Sequence, residues 1–357
     1  MALRGWIYGG YFMEQKKHSR LHFLVLALLL GILAAMALSV GSAGIGIGRS
    51  IRIVWSHLPG IGGLADTADV SQMQDYIIMQ VRLPRVVLAM LVGAGLSAVG
   101  GVFQGLFRNP LADPHILGVS SGAAMGATIA LFAGFSFGAA GMGAVSICAF
   151  IGAVLSMIAV FFVSGKGGKR AALTMLLTGT AISTLLSAVI SLLMSLNRDS
   201  AEKVYLWTLG SLSASGWAKV GWMTGIFAVG FLVLMVLSKD LNLLAMGEDT
   251  AGSLGVETGP VRILLVVFSS LMVAGAVSVS GIISFVGLVV PHCMRFLFGS
   301  DYRRLIPASV LGGAIFLLLC DTVARTVVAP GELPVSVVTA IIGAPYFIVL
   351  IKRNVKL

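Results

Sequence analysis

The sequence carries one carboxylate, Asp321, in the interior of a long apolar segment. If this segment lies in a bilayer, a charge near its centre costs about 2.5 to 3.5 kcal/mol on insertion scales, so Asp321 needs a partner. Arg325 follows four residues later, where the two side chains meet on one face of a helix. We therefore predict an ion pair between Asp321 and Arg325. One interpretation is that the pair is purely structural. The other is that Arg325 has a function at the outer end of the segment.

Four serines repeat along another apolar segment. They recur every fourth residue, at Ser183, Ser187, Ser191 and Ser195. Residues with this spacing share one face of a helix, so the helix would present a continuous line of hydroxyl groups. The line fits either hydrogen-bonded packing against a neighbouring helix or the lining of a polar passage.

The residue types needed for several kinds of chemistry are missing or wrongly spaced. No GxxxxGK[ST] motif for nucleotide phosphates occurs, and SGKGGKRA at 164–171 lacks both the spacing and the final hydroxyl residue. No cluster of histidines and carboxylates supports a metal centre or acid–base catalysis. We therefore expect a chain that binds no metal or cofactor itself and is not an enzyme.

The cysteines and the positive charge have ordinary explanations. Cys148, Cys293 and Cys320 all fall in apolar runs, which is typical of reduced, packed side chains. The net charge of +10 would suit nucleic acid only if Lys and Arg clustered on one exposed face. They stand mostly at the ends of apolar runs instead, which is typical of loops that flank membrane spans, so we expect no nucleic-acid partner.

The composition indicates a protein embedded in a lipid bilayer. Hydrophobic residues make up 58% and charged residues 11% of the 357 residues, against roughly 25% charged in an average soluble chain. Helices satisfy their own backbone hydrogen bonds in lipid, whereas open sheets do not. The apolar runs predict an all-α bundle of ten transmembrane helices, at 21–43, 85–107, 116–133, 143–163, 172–195, 221–238, 263–282, 284–298, 305–326 and 334–351.

Lys and Arg predict the orientation of the bundle. With the N-terminus inside, 16 of the 24 fall on the inner side and the remaining 8 on the outer side. Because positive residues concentrate in cytoplasmic loops, both termini are predicted in the cytoplasm. Residues 1–20 then form a cytoplasmic segment of a single domain, 1–357, and 239–262 its longest cytoplasmic connection. The first apolar run, from Leu21 to Val40, has about 20 residues, the length of an uncleaved span rather than of a secretory signal.

One short connection has an unusual sequence. RNPLADPHILGVSSG, at 108–122, places Pro110 and Pro114 between two spans, and each proline prevents the helix from continuing. Irregular backbone is tolerated at membrane depth only where it lines a cavity or is buried in protein.

A second Pro-His pair occurs in GLVVPHCMRFLFG at 287–299, a similarity of the kind that inverted repeats leave in a sequence. We therefore expect inverted-repeat character in the bundle.

The cytoplasmic connection contains LAMGEDTAGSLGVETGP at 244–260, with three acidic residues between glycines. We predict a short helix along the cytoplasmic surface, where it could dock in a groove of a soluble partner. An ordinary solvated loop is the alternative.

Four blocks of the sequence together resemble one known family. They are VRLPRVVLAMLVGAGLSAVGGVFQGLFRNPLADPHILGVSSGA (81–123), AMGEDTAGSLGV (245–256), GIISFVGLVVPHCMRFLFG (281–299) and GELPVSVVTAIIGAPYFIVLI (331–351). They resemble the permease subunits of type II ABC importers for iron-siderophores, haem and cobalamin. The resemblance implies a homodimer of ten-helix subunits around a central passage. It also implies two cytoplasmic ATPases that bind ATP and Mg, and an extracytoplasmic substrate-binding protein.

The resemblance further implies roles for particular residues. The arginines of RLPR and DTVAR are expected to face outward and dock the binding protein; they are Arg82, Arg85 and Arg325. Those expected to form a gate at the cytoplasmic end of the passage are Asn109, Pro110 and Leu111. Those expected to mark the element that couples to the ATPase are Gly247, Glu248 and Gly255. The fifth helix lines the passage in this family, which favours that interpretation of the four serines.

We therefore expect an inner-membrane permease that imports an iron chelate, haem or cobalamin by alternating access. The alternative is a secondary transporter that is coupled to protons through Asp321.

Overall fold

The computed structural model describes residues 2–41, 43–57, 69–135, 138–139, 142–164 and 171–354. Within these ranges the chain forms fifteen α-helices and one hairpin of two short strands. The helices are α1 (Ala2–Ser39), α2 (Ile47–Ser56), α3 (Gln72–Tyr76), α4 (Leu83–Leu106), α5 (Val119–Phe132), α6 (Ala144–Ser164), α7 (Ala171–Leu196), α8 (Arg198–Thr208), α9 (Trp217–Val236), α10 (Ser238–Met246), α11 (Glu248–Ser253), α12 (Thr258–Ser280), α13 (Val286–Phe298), α14 (Tyr302–Ala324) and α15 (Val335–Asn354). The strands β1 (Gly138–Ala139) and β2 (Met142–Gly143) pair antiparallel.

Among the described residues, seven helical segments are long and apolar enough to cross a membrane. They are Arg20–Ser39, Gln72–Leu106, Ala144–Ser164, Leu173–Leu196, Trp217–Val236, Thr258–Ser280 and Tyr302–Ala324. Three shorter apolar helices, Val119–Phe132, Val286–Phe298 and Val335–Leu350, lie at the remaining predicted spans. The helical membrane character is therefore confirmed, whereas ten crossings and the side of each terminus stay predictions.

The second span begins earlier than the sequence suggested. Helical structure continues from Gln72 to Leu106, although the predicted start was residue 85. Residues Ile77–Arg82 form a π-helical turn that joins α3 to α4. Pro84 accounts for this wider turn, because it donates no backbone hydrogen bond and its ring would clash with the carbonyl one turn earlier. The arginines on either side of Pro84 therefore lie on a helix and not in a loop.

The connections contain structure that the hydropathy pattern does not show. α2 and α8 lie in the two long connections predicted outside, while α10 and α11 occupy the predicted cytoplasmic connection. The short helix expected in that connection is confirmed by α11. The all-α fold class is confirmed, and the only described strands are β1 and β2, where Gly138 pairs with Gly143 and Ala139 with Met142.

Close packing at glycines holds the bundle together. α4 and α14 approach each other at Gly93 and Gly313, where a Cβ on either residue would collide with the carbonyl oxygen of the other. α5 and α6 meet in the same way at Gly122 and Gly152. Small residues allow such close approach, and van der Waals packing is a main source of helix association in lipid.

The helices differ greatly in how much of their surface the chain itself covers. In the most apolar stretch of Gln72–Leu106, which contains α4, 83% of residues are buried, and in α12 the share is 72%. The corresponding share is 11% in both α1 and α7. α4 and α12 therefore form the centre of the subunit, and most of the surface of α7 is left for lipid or for another chain.

Candidate functional site

Asp321 lies at one end of the bundle, where the start of α4 meets the end of α14. Its carboxylate has no exposed surface and accepts two hydrogen bonds at Oδ1, from Arg85 Nε (3.1 Å) and Arg85 Nη2 (2.9 Å). Arg325, the partner expected from the sequence, is farther away, with 3.7 Å between its Nε and Asp321 Oδ2. The main partner of Asp321 is therefore Arg85, because antiparallel packing brings α4 closer than the next turn of α14.

Arg82 and Arg325 hold the end of α1. Arg82 Nη1 donates to the carbonyl oxygens of Leu38 (2.8 Å) and Ser39 (3.0 Å), and Arg325 Nη2 donates to that of Ala37 (2.6 Å). The last carbonyls of a helix have no partner within it and form the negative end of its dipole, so cationic donors stabilise them. These bonds join α1 to the ends of α4 and α14.

The three arginines are less accessible than their expected docking role suggests. Arg82 and Arg85 are 6% and 8% exposed, and the side chain of Arg325 is 7% exposed. Each one also donates to a group of this chain. Docking through these residues stays a prediction, and it requires an incoming carboxylate to compete with internal partners.

Glu332 completes the group and is its most accessible member. It lies between α14 and α15, with its side chain 38% exposed, and its Oε1 accepts from Arg85 Nη1 at 2.8 Å. Glu332 was not among the predicted site residues, although an acid in GELP seven residues after Arg325 was an available signal. We call Arg82, Arg85, Asp321, Arg325 and Glu332 the charge cluster.

A separate group of charges lies beside α2. Arg49 Nη2 and Arg52 Nη2 both donate to Asp69 Oδ2, at 3.1 and 3.0 Å. The hydrogen bond from Arg49 lowers the pKa of Asp69 below its ordinary value. All three side chains are well exposed, so this pairing orders the segment and contributes little stability.

At the opposite end of α4 the chain leaves the helix in residues 107–118, which we call the α4–α5 turn. The N–H of Asn109 donates to the carbonyl oxygen of Gln104 at 3.1 Å, and the N–H of Leu111 donates to Asn109 Oδ1 at 2.9 Å. Asn109, Pro110 and Leu111 are exposed at the tip of the turn. The residues expected to form a gate are therefore together and accessible, and gating itself stays a prediction.

Two contacts anchor the α4–α5 turn to the break between α12 and α13. His115 Nε2 lies 2.9 Å from the carbonyl oxygen of Ile283, so we assign the ring proton to Nε2 and let Nδ1 accept from the Ser120 hydroxyl. Pro114 packs against Gly287, where a Cβ would collide with the proline ring. The Pro-His pair noted in the sequence thus fixes the turn to a second irregular segment.

The connection expected to contact an ATPase lies at the same end as the α4–α5 turn. Gly247 separates α10 from α11 with a φ of 133°, and Gly255 follows α11 with a φ of 86°, both favourable only for glycine. Glu248 Oε1 accepts from Arg262 Nη2 at 2.7 Å, which fixes α11 to α12. A Cβ at Gly247 would lie 3.5 Å from Arg108 Nη1, so this connection approaches the turn directly.

The four serines lie on α7, the helix that the chain covers least. Ser187, Ser191 and Ser195 are exposed, and Ser183 is half-buried. The Ser191 hydroxyl donates to the Ser187 carbonyl at 2.9 Å, and the Ser195 hydroxyl donates to the Leu192 carbonyl at 2.7 Å. The Ser191 and Ser195 hydroxyls therefore bond within their own helix. Lining of a passage stays a prediction.

The part of the chain that the structure describes holds no group of three or more His, Cys, Asp or Glu placed to bind a metal ion. Cys148, Cys293 and Cys320 are free thiols.

Comparisons with known proteins identify the class to which these features belong. The hemin transport permease HmuU of Yersinia pestis is 37% identical over 93% of this chain and 96% of its own length. The molybdate import permease MolB of Haemophilus influenzae is 40% identical over 92% and 94%. A solved inward-facing ABC transporter, described as of metal-chelate type, matches with a TM-score of 0.79 and 36% identity over 93% of this chain and 98% of that one.

This protein is a multi-pass permease subunit of the type II ABC importer class, as the resemblance of its motifs implied. Residues 26–353 match the FecCD transport family, so the chain belongs to that family.

Asp321→Asn is expected to lower the free energy of unfolding by about 3 kcal/mol, because it leaves the buried Arg85 without its main counter-charge. Adding Arg85→Gln should recover part of that loss, since the uncompensated cation is then removed. Denaturant unfolding in detergent, followed by tryptophan fluorescence, measures both variants. Arg198→Gln, at an exposed position at the start of α8, is the control. A double variant as unstable as the sum of its single variants would contradict this assignment.

Proposed function

We propose that this chain is the membrane-spanning subunit of an ATP-driven importer that moves a metal chelate into the cytoplasm. The proposed cargo is an iron–siderophore complex, haem or cobalamin. The observation that carries the proposal is the close approach of the α10–α11 connection to the α4–α5 turn, at Gly247 and Arg108. A soluble motor that moved this connection would act on the turn without an intervening element.

A homodimer with two ATPase subunits suits this chain. ATP and Mg would bind to the ATPases, since the sequence has no phosphate-binding loop of the GxxxxGK[ST] type. The uncovered surface of α7 supports contact with a second copy. Its exposed serines, Ser187, Ser191 and Ser195, would then line a passage shared by the two subunits.

Alternating access would operate between the two ends of the α4–α14 pair. If the chain lies in the inner membrane with both termini in the cytoplasm, the charge cluster faces the outer side of that membrane. Asn109, Pro110 and Leu111 then form the cytoplasmic gate. α11, bounded by Gly247 and Gly255, contacts the ATPase through the surface that bears Glu248.

The charge cluster would receive the binding protein. Arg85 is the cluster arginine whose partner, Glu332, is accessible from outside the chain. We infer that a carboxylate of the binding protein replaces Glu332 on Arg85 Nη1. Arg82 and Arg325 would hold the end of α1 in position for this exchange.

A proton-coupled secondary transporter is the alternative. It requires a carboxylate that gains and loses a proton along the pathway. Asp321 has no exposed surface, and it is bound by Arg85 and flanked by Arg325. This environment supports a structural ion pair, and membership of the FecCD family favours ATP as the energy source.

Uptake into proteoliposomes that contain this chain, its ATPase and its binding protein tests the proposal. We expect accumulation of a ferric siderophore, haem or cobalamin that requires ATP and persists after an ionophore collapses the proton gradient. Molybdate is included as a fourth cargo because one relative is named for it. Uptake that needs no ATP and stops with the ionophore would establish the proton-coupled alternative.

Glu332→Gln is expected to strengthen capture of the binding protein about threefold, because it removes an exposed carboxylate that competes for Arg85. Surface plasmon resonance with the permease in nanodiscs measures this affinity. The matched control is Glu202→Gln, an exposed acid on α8. Equal or weaker capture by the Glu332 variant, at unchanged control affinity, would contradict the proposed exchange of carboxylates.

A further inference from the structure

Asn242 of α10 binds the start of α14 through both ends of its side-chain amide. Its Nδ2 donates to Asp301 Oδ1 at 2.8 Å, and its Oδ1 accepts from the backbone N–H of Tyr302 at 2.9 Å. Asp301 is also the N-cap residue of α14, where it accepts from the N–H of Arg303. A displacement of α10 is therefore transmitted first to the N-terminus of α14.

Tyr302 continues this contact to the last turn of α4. The residue is 6% exposed, and its ring lies against Gly105, where a Cβ would meet the hydroxyl oxygen and lie 2.5 Å from Cζ. The hydroxyl also accepts from Arg295 Nη2 at 3.4 Å, a long bond. The direct packing of the ring on α4 is therefore the stronger of the two connections.

Arg295 and Gln104 connect the contact between Tyr302 and α4 to the α4–α5 turn. Arg295 Nη1 donates to Gln104 Oε1 at 2.7 Å, and Gln104 Nε2 donates to the carbonyl oxygen of Leu288 on α13 at 3.1 Å. The carbonyl oxygen of Gln104 accepts from the N–H of Asn109 at the start of the exposed tip. Gln104 is 3% exposed, so its position is set by these bonds and not by solvent.

A cavity beside these residues provides room for them to move. Its volume is about 560 Å³, and it is lined both by residues of this bonded group and by Arg108 and Pro110 of the α4–α5 turn. The pocket is open to solvent, so the bonded group is packed against helices on one side and unconfined on the other.

We propose that Asn242, Tyr302, Arg295 and Gln104 are positioning residues that transmit movement of the α10–α11 connection to the α4–α5 turn. This inference rests on the proposed function, because it assigns the route by which the ATPase would act on the gate. The route passes through the start of α14 and supplements the direct approach of Gly247 to Arg108. It uses discrete bonds between packed elements, which is one physical form that coupling between distant sites takes.

An exchange of the amide and the carboxylate tests this route. Asn242→Asp places a second carboxylate beside Asp301 and converts the 2.8 Å hydrogen bond into a repulsion. Combining Asn242→Asp with Asp301→Asn exchanges the two groups, so that the amide at position 301 donates to the carboxylate at position 242, which still accepts from the N–H of Tyr302. The new amide at position 301 also remains a good N-cap for α14. The matched control is Asn197→Asp, the exposed N-cap of α8.

Uptake and ATP hydrolysis are measured together in proteoliposomes that contain the full transporter. We expect Asn242→Asp to lower the cargo imported per ATP hydrolysed about fivefold. The hydrolysis rate and the thermal midpoint of the assembled complex should stay close to those of the unaltered transporter. The double variant should regain the original ratio, and Asn197→Asp should leave it unchanged.

Three results separate the possible failures. If the unaltered transporter shows no ATP-dependent uptake, the proposed function itself is wrong. If it imports cargo and Asn242→Asp has the same import ratio, the transmitting role is overturned. If Asn242→Asp lowers the ratio only together with a lower thermal midpoint, the residue is structural and the role is likewise overturned.

Discussion

A single imidazole joins two irregular backbone segments of this bundle. His115 lies in the α4–α5 turn, and its Nε2–H donates to the carbonyl oxygen of Ile283, between α12 and α13. Backbone groups outside a helix find no partner in lipid, so they must bond within the protein or face water. Because the two breaks bond to each other, the turn can stay irregular while the surrounding helices remain continuous. This pairing therefore helps to fix the α4–α5 turn, which carries Asn109, Pro110 and Leu111.

The antiparallel pair of α4 and α14 connects the two ends of the subunit. These helices are in direct backbone contact at Gly93 and Gly313. At one end their termini carry Arg85 and Asp321, and at the other Tyr302 packs against Gly105. A change in the angle between two helices that cannot slide apart moves both ends at once. This geometry joins the end that carries the charge cluster to the end that carries the α4–α5 turn.

The apolar helices could be located from the sequence because the hydropathy of a span depends only on about 20 consecutive residues. Proline located the α4–α5 turn for the same reason, since its effect on the backbone is local. The nearer partner of Asp321 could not be found in this way, because Arg85 lies 236 residues away and reaches it only after α4 packs on α14. The rule for residues four apart found the more distant partner, Arg325. The Asn242 contacts also depend on tertiary packing.

The side of the membrane on which the α4–α5 turn lies tests the central claim most directly. Leu111→Cys, in a background with Cys148, Cys293 and Cys320 replaced by alanine, places one thiol at a position that is 40% exposed. A membrane-impermeant maleimide is predicted to label it in inside-out vesicles and not in intact spheroplasts. Labelling in intact spheroplasts would place the turn outside and contradict its role as the cytoplasmic gate.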